Sequence, residues 1–133
     1  MRKLALVLAT ATALLAGPAL QARDRLTPDQ QLERRLEGRV AGEPVSCISN
    51  WNSRDMEVID GKAIVFGTGS TVWVNTPDNA EHLDNDDILV TRVTGSQFCR
   101  LDMVQTYDRA GNFPTGFLSL GNFVPYRRVR SER

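Results

Sequence analysis

The sequence predicts a mainly β fold, a small antiparallel barrel or roll of about six to seven strands preceded by a short N-terminal helix. Three observations carry that reading. The helical period disappears after Val45, short β-rich runs then alternate with turn residues, and Asp60-Gly61 stands between two apolar runs. A D-G pair so flanked is the strongest short hairpin signal a sequence offers. Consecutive short strands with tight turns imply an antiparallel meander rather than parallel βαβ units. A sheet this small must curl or fold over to bury one face, hence the barrel or roll.

The chain opens with Arg2 and Lys3, runs apolar from Leu4 to Ala16 (LALVLATATALLA), and meets the helix breakers Gly17 and Pro18 before a small-residue stretch. That order is the n-region, h-region and cleavage region of a signal peptide. The apolar run is shorter than the about 20 residues that cross a hydrocarbon core. A retained N-terminal anchor or a buried core helix is the alternative. Cleavage after Ala22 puts a small residue at the scissile position, although Leu20 two places earlier is larger than the usual Ala; Ala19 is the second choice. No Cys follows the apolar run closely, so no lipid anchor is expected. Residues 1–22 therefore read as a signal peptide. The mature protein is expected to be periplasmic or secreted, with no stable membrane anchor after cleavage.

Its removal leaves 111 residues, enough for one compact domain. The whole chain balances 16 basic against 16 acidic residues, and Arg2 and Lys3 leave with the leader while no acid does, so the mature side-chain balance is −2. A near-neutral domain has no electrostatic basis for binding nucleic acid or anionic lipid over its whole surface. Two cysteines remain, Cys47 and Cys99, and an isolated pair is expected to close in an oxidising compartment. Two free thiols acting as a redox pair are the alternative, but C-x-x-C spacing is what brings such thiols together at a reactive helix start. A bridge across some fifty residues adds roughly 4 kcal/mol by loop entropy.

Residues 23–44 read as a lead-in and helix, 45–126 as the β domain and 127–133 as a basic, solvated tail. The helix is read over residues 23–40. Thr27 suits the N-cap, Pro28 the first turn, and Gln30 completes a T-x-x-Q capping box. Leu32, Leu36 and Val40 recur at i, i+4 and i+8 as an apolar stripe opposite Glu33, Arg34, Arg35 and Glu37. Gly38, Gly42 and Pro44 end it. The strands are read as Val45 to Ser49, Met56 to Ile59, Lys62 to Phe66, Thr71 to Asn75, Ile88 to Thr94, Phe98 to Tyr107 and Phe117 to Leu120. Gly67 to Ser70, Gly95-Ser96 and Asp108 to Asn112 punctuate them. Alternation puts Cys99, Leu101 and Met103 on one face with Arg100 and Asp102 on the other, and gives Val45 and Cys47 a common face. Both sulfurs then leave mainly apolar faces.

The segments GRVAGEPVSCIS, RDMEVIDGKAIVF, GSTVWVN and FCRLDMV, in that order, resemble a family of small exported proteobacterial proteins, a domain of unknown function. The matching residues are Cys47, Ile48 and Ser49; Val58, Ile59 and Asp60; Phe66; and Cys99 with Asp102. The resemblance covers roughly residues 38–125. Family members often carry two further cysteines, one after the strand matched by Val72 to Asn75 and one near the C-terminus. Both are missing here, as expected if they pair with each other, which leaves Cys47 with Cys99. The resemblance implies export and a disulfide, and no activity.

Chemistry-bearing residues are sparse. His82 is the only histidine, so any Ser-His-Asp or Cys-His site must be built around it. It lies in a polar loop and reads as solvated. That loop concentrates Asp78, Glu81, Asp84, Asp86 and Asp87, the kind of cluster that can bind calcium, but the EF-hand pattern of Gly at the sixth position and Glu at the twelfth fails. Asp102 on a strand is expected to pair with a basic residue such as Arg92 or Arg100 rather than to serve as one acid of a hydrolytic pair. Gly67-Thr68-Gly69-Ser70 opens no helix and reads as a turn, not a phosphate loop. Trp51 and Trp73 offer stacking surfaces for sugars or peptides, with core packing or cover by the N-terminal helix as the blander fate. The tail YRRVRSER is a frayed terminus or a contact for an acidic partner.

No residue is put forward as catalytic, cofactor-binding or metal-ligating, and the one assigned pair is the Cys47–Cys99 disulfide. The functional expectation is a non-enzymatic exported module, binding or envelope-associated, whose partner is an envelope protein or a small ligand. A hydrolase inhibitor, acting on a lysozyme or protease through a protruding loop such as Thr76 to Asp87 or Asp108 to Gly116, is one alternative. A small acid–base hydrolase with converging carboxylates is the other.

Overall fold

Helix α1 (Pro28–Arg35) starts where the capping box puts it: Thr27 Oγ1 accepts from Gln30 N–H at 3.3 Å, and Gln30 Oε1 accepts from Thr27 N–H at 2.9 Å. The computed structural model describes residues 25–130, so the predicted signal peptide lies outside the described residues. The helix stops earlier than its apolar stripe implied. Leu36 is the C-cap, Gly38 takes φ +72°, and the reversed chain enters strand β1 (Arg39–Ala41). Val40 is thus an exposed strand residue paired with Arg127, not a third member of the helical stripe.

The remaining strands are β2 (Cys47–Ser49), β3 (Met56–Ile59), β4 (Ala63–Phe66), β5 (Thr71–Asn75), β6 (Asp87–Thr91), β7 (Gln97–Cys99), β8 (Met103–Asp108), β9 (Pro114–Ser119) and β10 (Phe123–Arg128). Among the described residues the chain is mainly β and antiparallel, with one α-helix ahead of the strands, as predicted. The described strands number ten rather than six or seven, and they form three sheets that do not close into a barrel: β1-β10-β5-β4-β3, β2-β7 and β6-β8-β9. Layering, not curling, buries the faces.

Strand β4 shows why. All four of its residues are buried. Ala63 and Val65 face Leu32 and Leu36 of α1 together with Ile59, Val72 and Val74. Ile64 and Phe66 face the opposite way, into a cluster with Ile48 and Phe98 from the two-stranded sheet and Val104 and Leu118 from the three-stranded sheet. Phe66, Phe98 and Phe123 meet at its centre with ring centroids 5.6 to 6.0 Å apart. At about 25 cal/mol per Å² of apolar surface removed from water, two such faces supply the main driving force. The helix is tied down by Arg35, which bonds Glu57 at 2.7 Å and the Gly67 carbonyl at 2.9 Å, and by Asp29, 2.6 Å from Lys62 Nζ.

The Asp60-Gly61 hairpin joins β3 to β4 with Ile59 opposite Ala63 and Gly61 at φ +62°. The long strand expected over Phe98 to Tyr107 is broken. Asp102 Oδ2 accepts the Cys99 N–H at 2.7 Å, Leu101 turns to φ +71°, and β7 and β8 part company there. Leu101 and Met103 consequently lie exposed instead of sharing an inner face with Cys99. Strand β10 was not anticipated, and it takes Arg127 and Arg128 out of the expected tail by pairing them with Thr71, Val40 and Arg39. Pro125 sits inside it without harm. Gly42 N–H donates to the Pro125 carbonyl at 2.7 Å, so the side on which proline lacks a donor is where β1 has already ended.

Candidate functional site

Cys47 and Cys99 are bonded and lie directly opposite one another in the β2–β7 register, with Cα atoms 4.0 Å apart. Arg100 N–H donates to the Ser46 carbonyl at 2.6 Å, which makes the cystine a non-hydrogen-bonded pair, the closer of the two antiparallel pairings. Among the described residues no cysteine is free. The bridge fastens the start of a short turn that carries the chain's most exposed aromatic side chain.

That turn is a 3₁₀ segment, Asn50–Ser53. Ser49 caps it through a 3.3 Å bond from Trp51 N–H, Ser53 Oγ donates to the Asn50 carbonyl at 2.8 Å, and Asn50 N–H reaches Ser96 O at 2.9 Å. Trp51 is thrown outward and is 70% exposed. Side chains three apart eclipse in 3₁₀ geometry. Arg54 accordingly lies over the Trp51 ring, its Cζ 3.8 Å from the centroid, a cation–π contact that braces one face of the indole.

Trp73 comes from the opposite direction. Strand β5 turns Val72 and Val74 toward α1 and leaves Trp73 on the other face, half-buried against the rim of the large cluster. Gly67 stands beside its ring at φ +87°, a left-handed conformation that residues with a Cβ rarely adopt. Trp51 and Trp73 line one open cleft of about 380 Å³ with Asn52, Asp55, Thr68 and Ser70. Two stacking residues therefore border the same polar depression, and the N-terminal helix covers neither. The Gly67 to Ser70 turn forms the cleft's wall. Its carbonyls are held from behind, Gly67 by Arg35 and Gly69 and Ser70 by Arg39, each at 2.9 Å. Partial desolvation, then the nearby guanidiniums of Arg128 and Arg35, lower the Arg39 pKa from its ordinary value. The wall is thus anchored by charge-assisted bonds to backbone oxygens.

The other sequence candidates are dispersed. His82 is exposed on a short 3₁₀ turn, 3.7 Å from Glu81, and lines a separate depression with Asp87, Thr106 and Thr115. There Thr115 Oγ1 lies 2.8 Å from both Asp87 Oδ2 and Thr106 Oγ1, one carboxylate serving a hydroxyl chain, while its cross-strand neighbour Asp108 accepts the Gly111 N–H in the turn after β8. The acidic loop uses its carboxylates locally: Asp84 Oδ1 accepts from Asp86 N–H at 2.8 Å and Asp87 serves Thr115. Among the described residues no three His, Cys, Asp or Glu side chains gather as metal ligands. Asp102 caps a turn and pairs with neither Arg92 nor Arg100. The loop from Thr76 to Asp87 folds back on the body, burying Leu83, whose carbonyl accepts from Gly61 at 3.0 Å. The turn after β8 is closed on itself, Asn112 N–H returning to the Asp108 carbonyl at 2.9 Å.

Sequence reasoning singled out both tryptophans but not Arg54, Asn52 or Asp55. The W-x-x-R spacing carries the Trp51–Arg54 stack only once the segment is known to be 3₁₀. Fold and cleft together define a disulfide-bridged, layered β module with an aromatic-edged polar groove. Compared with protein-family models, curated proteins and solved structures, the chain matches none.

Proposed function

We propose that the mature chain is an exported, non-enzymatic binding module of the bacterial envelope, of the small proteobacterial kind its sequence resembles, and that its ligand is a glycan held in the Trp51–Trp73 cleft. The observation that carries the reading is a large indole left in water yet held in place, one face braced by Arg54, above a groove of amide, carboxylate and hydroxyl groups. A sugar ring offers the complement: an apolar C–H face for stacking and a rim of hydroxyls for the polar wall. Pockets of this size accommodate small ligands with a few fixed polar contacts. Export is supported by the leader-like N-terminus and by a disulfide, which persists in oxidising compartments. No helix of the described residues is long and apolar enough to cross a membrane.

The test is a titration of the mature protein with tetra-N-acetylchitotetraose, followed by intrinsic tryptophan emission and calorimetry. Saturable binding is expected, with Trp51→Ala weakening it at least about tenfold, since a buried tryptophan anchor is typically worth more than 1 kcal/mol. No saturation up to about 10 mM, or equal affinity in the variant, refutes the reading.

A further inference from the structure

The three-stranded sheet has two edges, and among the described residues they differ in cover. Strand β9 is shielded by the segment before Ala80: Asn79 Nδ2 donates to Phe117 O at 2.7 Å, Ser119 N–H donates to Asn79 Oδ1 at 3.1 Å, and Asp78 N–H donates to Ser119 O at 3.0 Å. Strand β6, at the other side of the same sheet, has no such cover among the described residues. Its outward groups can be identified. Asp108 N–H donates to Phe113 O on the β9 side, so Tyr107 directs its N–H and C=O toward β6 and forms a hydrogen-bonded pair with Ile88. Ile88 and Val90 therefore spend their backbone groups on β8, whereas Leu89 and Thr91 point theirs away from the sheet. Ile88 and Val90 also stand exposed on the sheet's outer face beside Met103 and Phe117. A β-rich edge with free backbone groups and apolar side chains is a template for strand pairing.

We propose that two copies of this chain pair through β6, antiparallel across a two-fold axis at Leu89, to make one continuous six-stranded sheet. Leu89 then exchanges both of its bonds with its counterpart. Each Thr91 N–H meets the partner's Asp87 carbonyl, and Ile88 lies beside the partner's Val90 on a shared apolar face. Charge selects this register. Acids open the strand at Asp84, Asp86 and Asp87, and Arg92 closes it with no ion-pair partner among the described residues. Antiparallel self-pairing about Leu89 puts Asp86 of each copy opposite Arg92 of the other, while a slip by two residues loses that match. Such self-complementarity is the signature of a two-fold interface. The inference is independent of what the tryptophan cleft binds.

Sedimentation equilibrium of the mature protein tests it. A reversible dimer is expected. Arg92→Asp should weaken it at least about tenfold through like-charge opposition, and the exchange Asp86→Arg/Arg92→Asp should restore it. Thr91→Pro removes an outward N–H without breaking the β6–β8 ladder and should give monomers, as a proline on an edge strand does. If that proline disturbs folding, the charge exchange still decides the matter. A single-chain mass at every concentration up to about 1 mM overturns the proposal, as does a dimer that neither Arg92→Asp nor the exchange alters.

Discussion

Asn75 is completely buried at the end of β5, and its amide is a clamp on the backbone of Gly121: Nδ2 donates to the Gly121 carbonyl at 2.8 Å and Oδ1 accepts its N–H at 3.0 Å. Gly121 is itself buried, and a Cβ on it would stand 2.5 Å from the Thr76 carbonyl oxygen, so the site has no slack for a compensating shift. Asn75→Ala removes both partners of that backbone at once. Each orphaned buried group costs about 1–3 kcal/mol, which gives an expected loss of about 2–5 kcal/mol after allowing for partial relaxation. Against a typical total of about 5–15 kcal/mol this is a large fraction. Equilibrium urea unfolding measures it, and the midpoint should fall with an unchanged slope because the native surface is conserved. A loss below about 1 kcal/mol would show that water replaces the amide and that the clamp reasoning is mistaken.

Two further outcomes concern the sulfurs and the leader. Cys99→Ala opens a loop spanning 52 residues and should lower stability by about 4 kcal/mol on the loop-entropy model; a change under about half a kcal/mol in denaturant titrations would mean that the β2–β7 pair holds without its bridge. Intact mass of the exported protein should show the loss of residues 1–22 and of the two thiol hydrogens, and a full-length chain that alkylates freely without reductant would contradict both readings.

How much could be read in advance depended on how local the deciding interaction was. The start of α1 was legible because Thr27, Pro28 and Gln30 settle it within one turn. Strands β3, β4 and β5 were legible because Asp60-Gly61 and Gly67 to Ser70 mark their ends and the runs between are β-branched. Strand β10 was hidden by Pro125, whose tolerance depends on β1 ending one residue before Gly42 donates to it, a fact of pairing and not of composition. The break at Arg100 to Asp102 was hidden because a carboxylate three residues on captures the Cys99 N–H that points away from β2 and closes a tight turn, and alternation counts cannot see that capture. Val40 was misplaced since a period of four describes a helix only until Gly38 reverses the chain.

The cleft divides in the same way. Its aromatic members stood out by residue type, whereas Arg54, Asn52 and Asp55 join them only through the 3₁₀ turn and the approach of β5. By itself, the sequence determined the class of fold, the hairpin, the helix start and the two sulfurs, because capping, turn chemistry and alternation act over a few residues. Only the tertiary structure decided that the sheets stack in layers, that β4 is covered on both sides, and that two distant tryptophans share a groove. Those outcomes depend on which faces pack together across some twenty residues of chain or more, and no local preference encodes them.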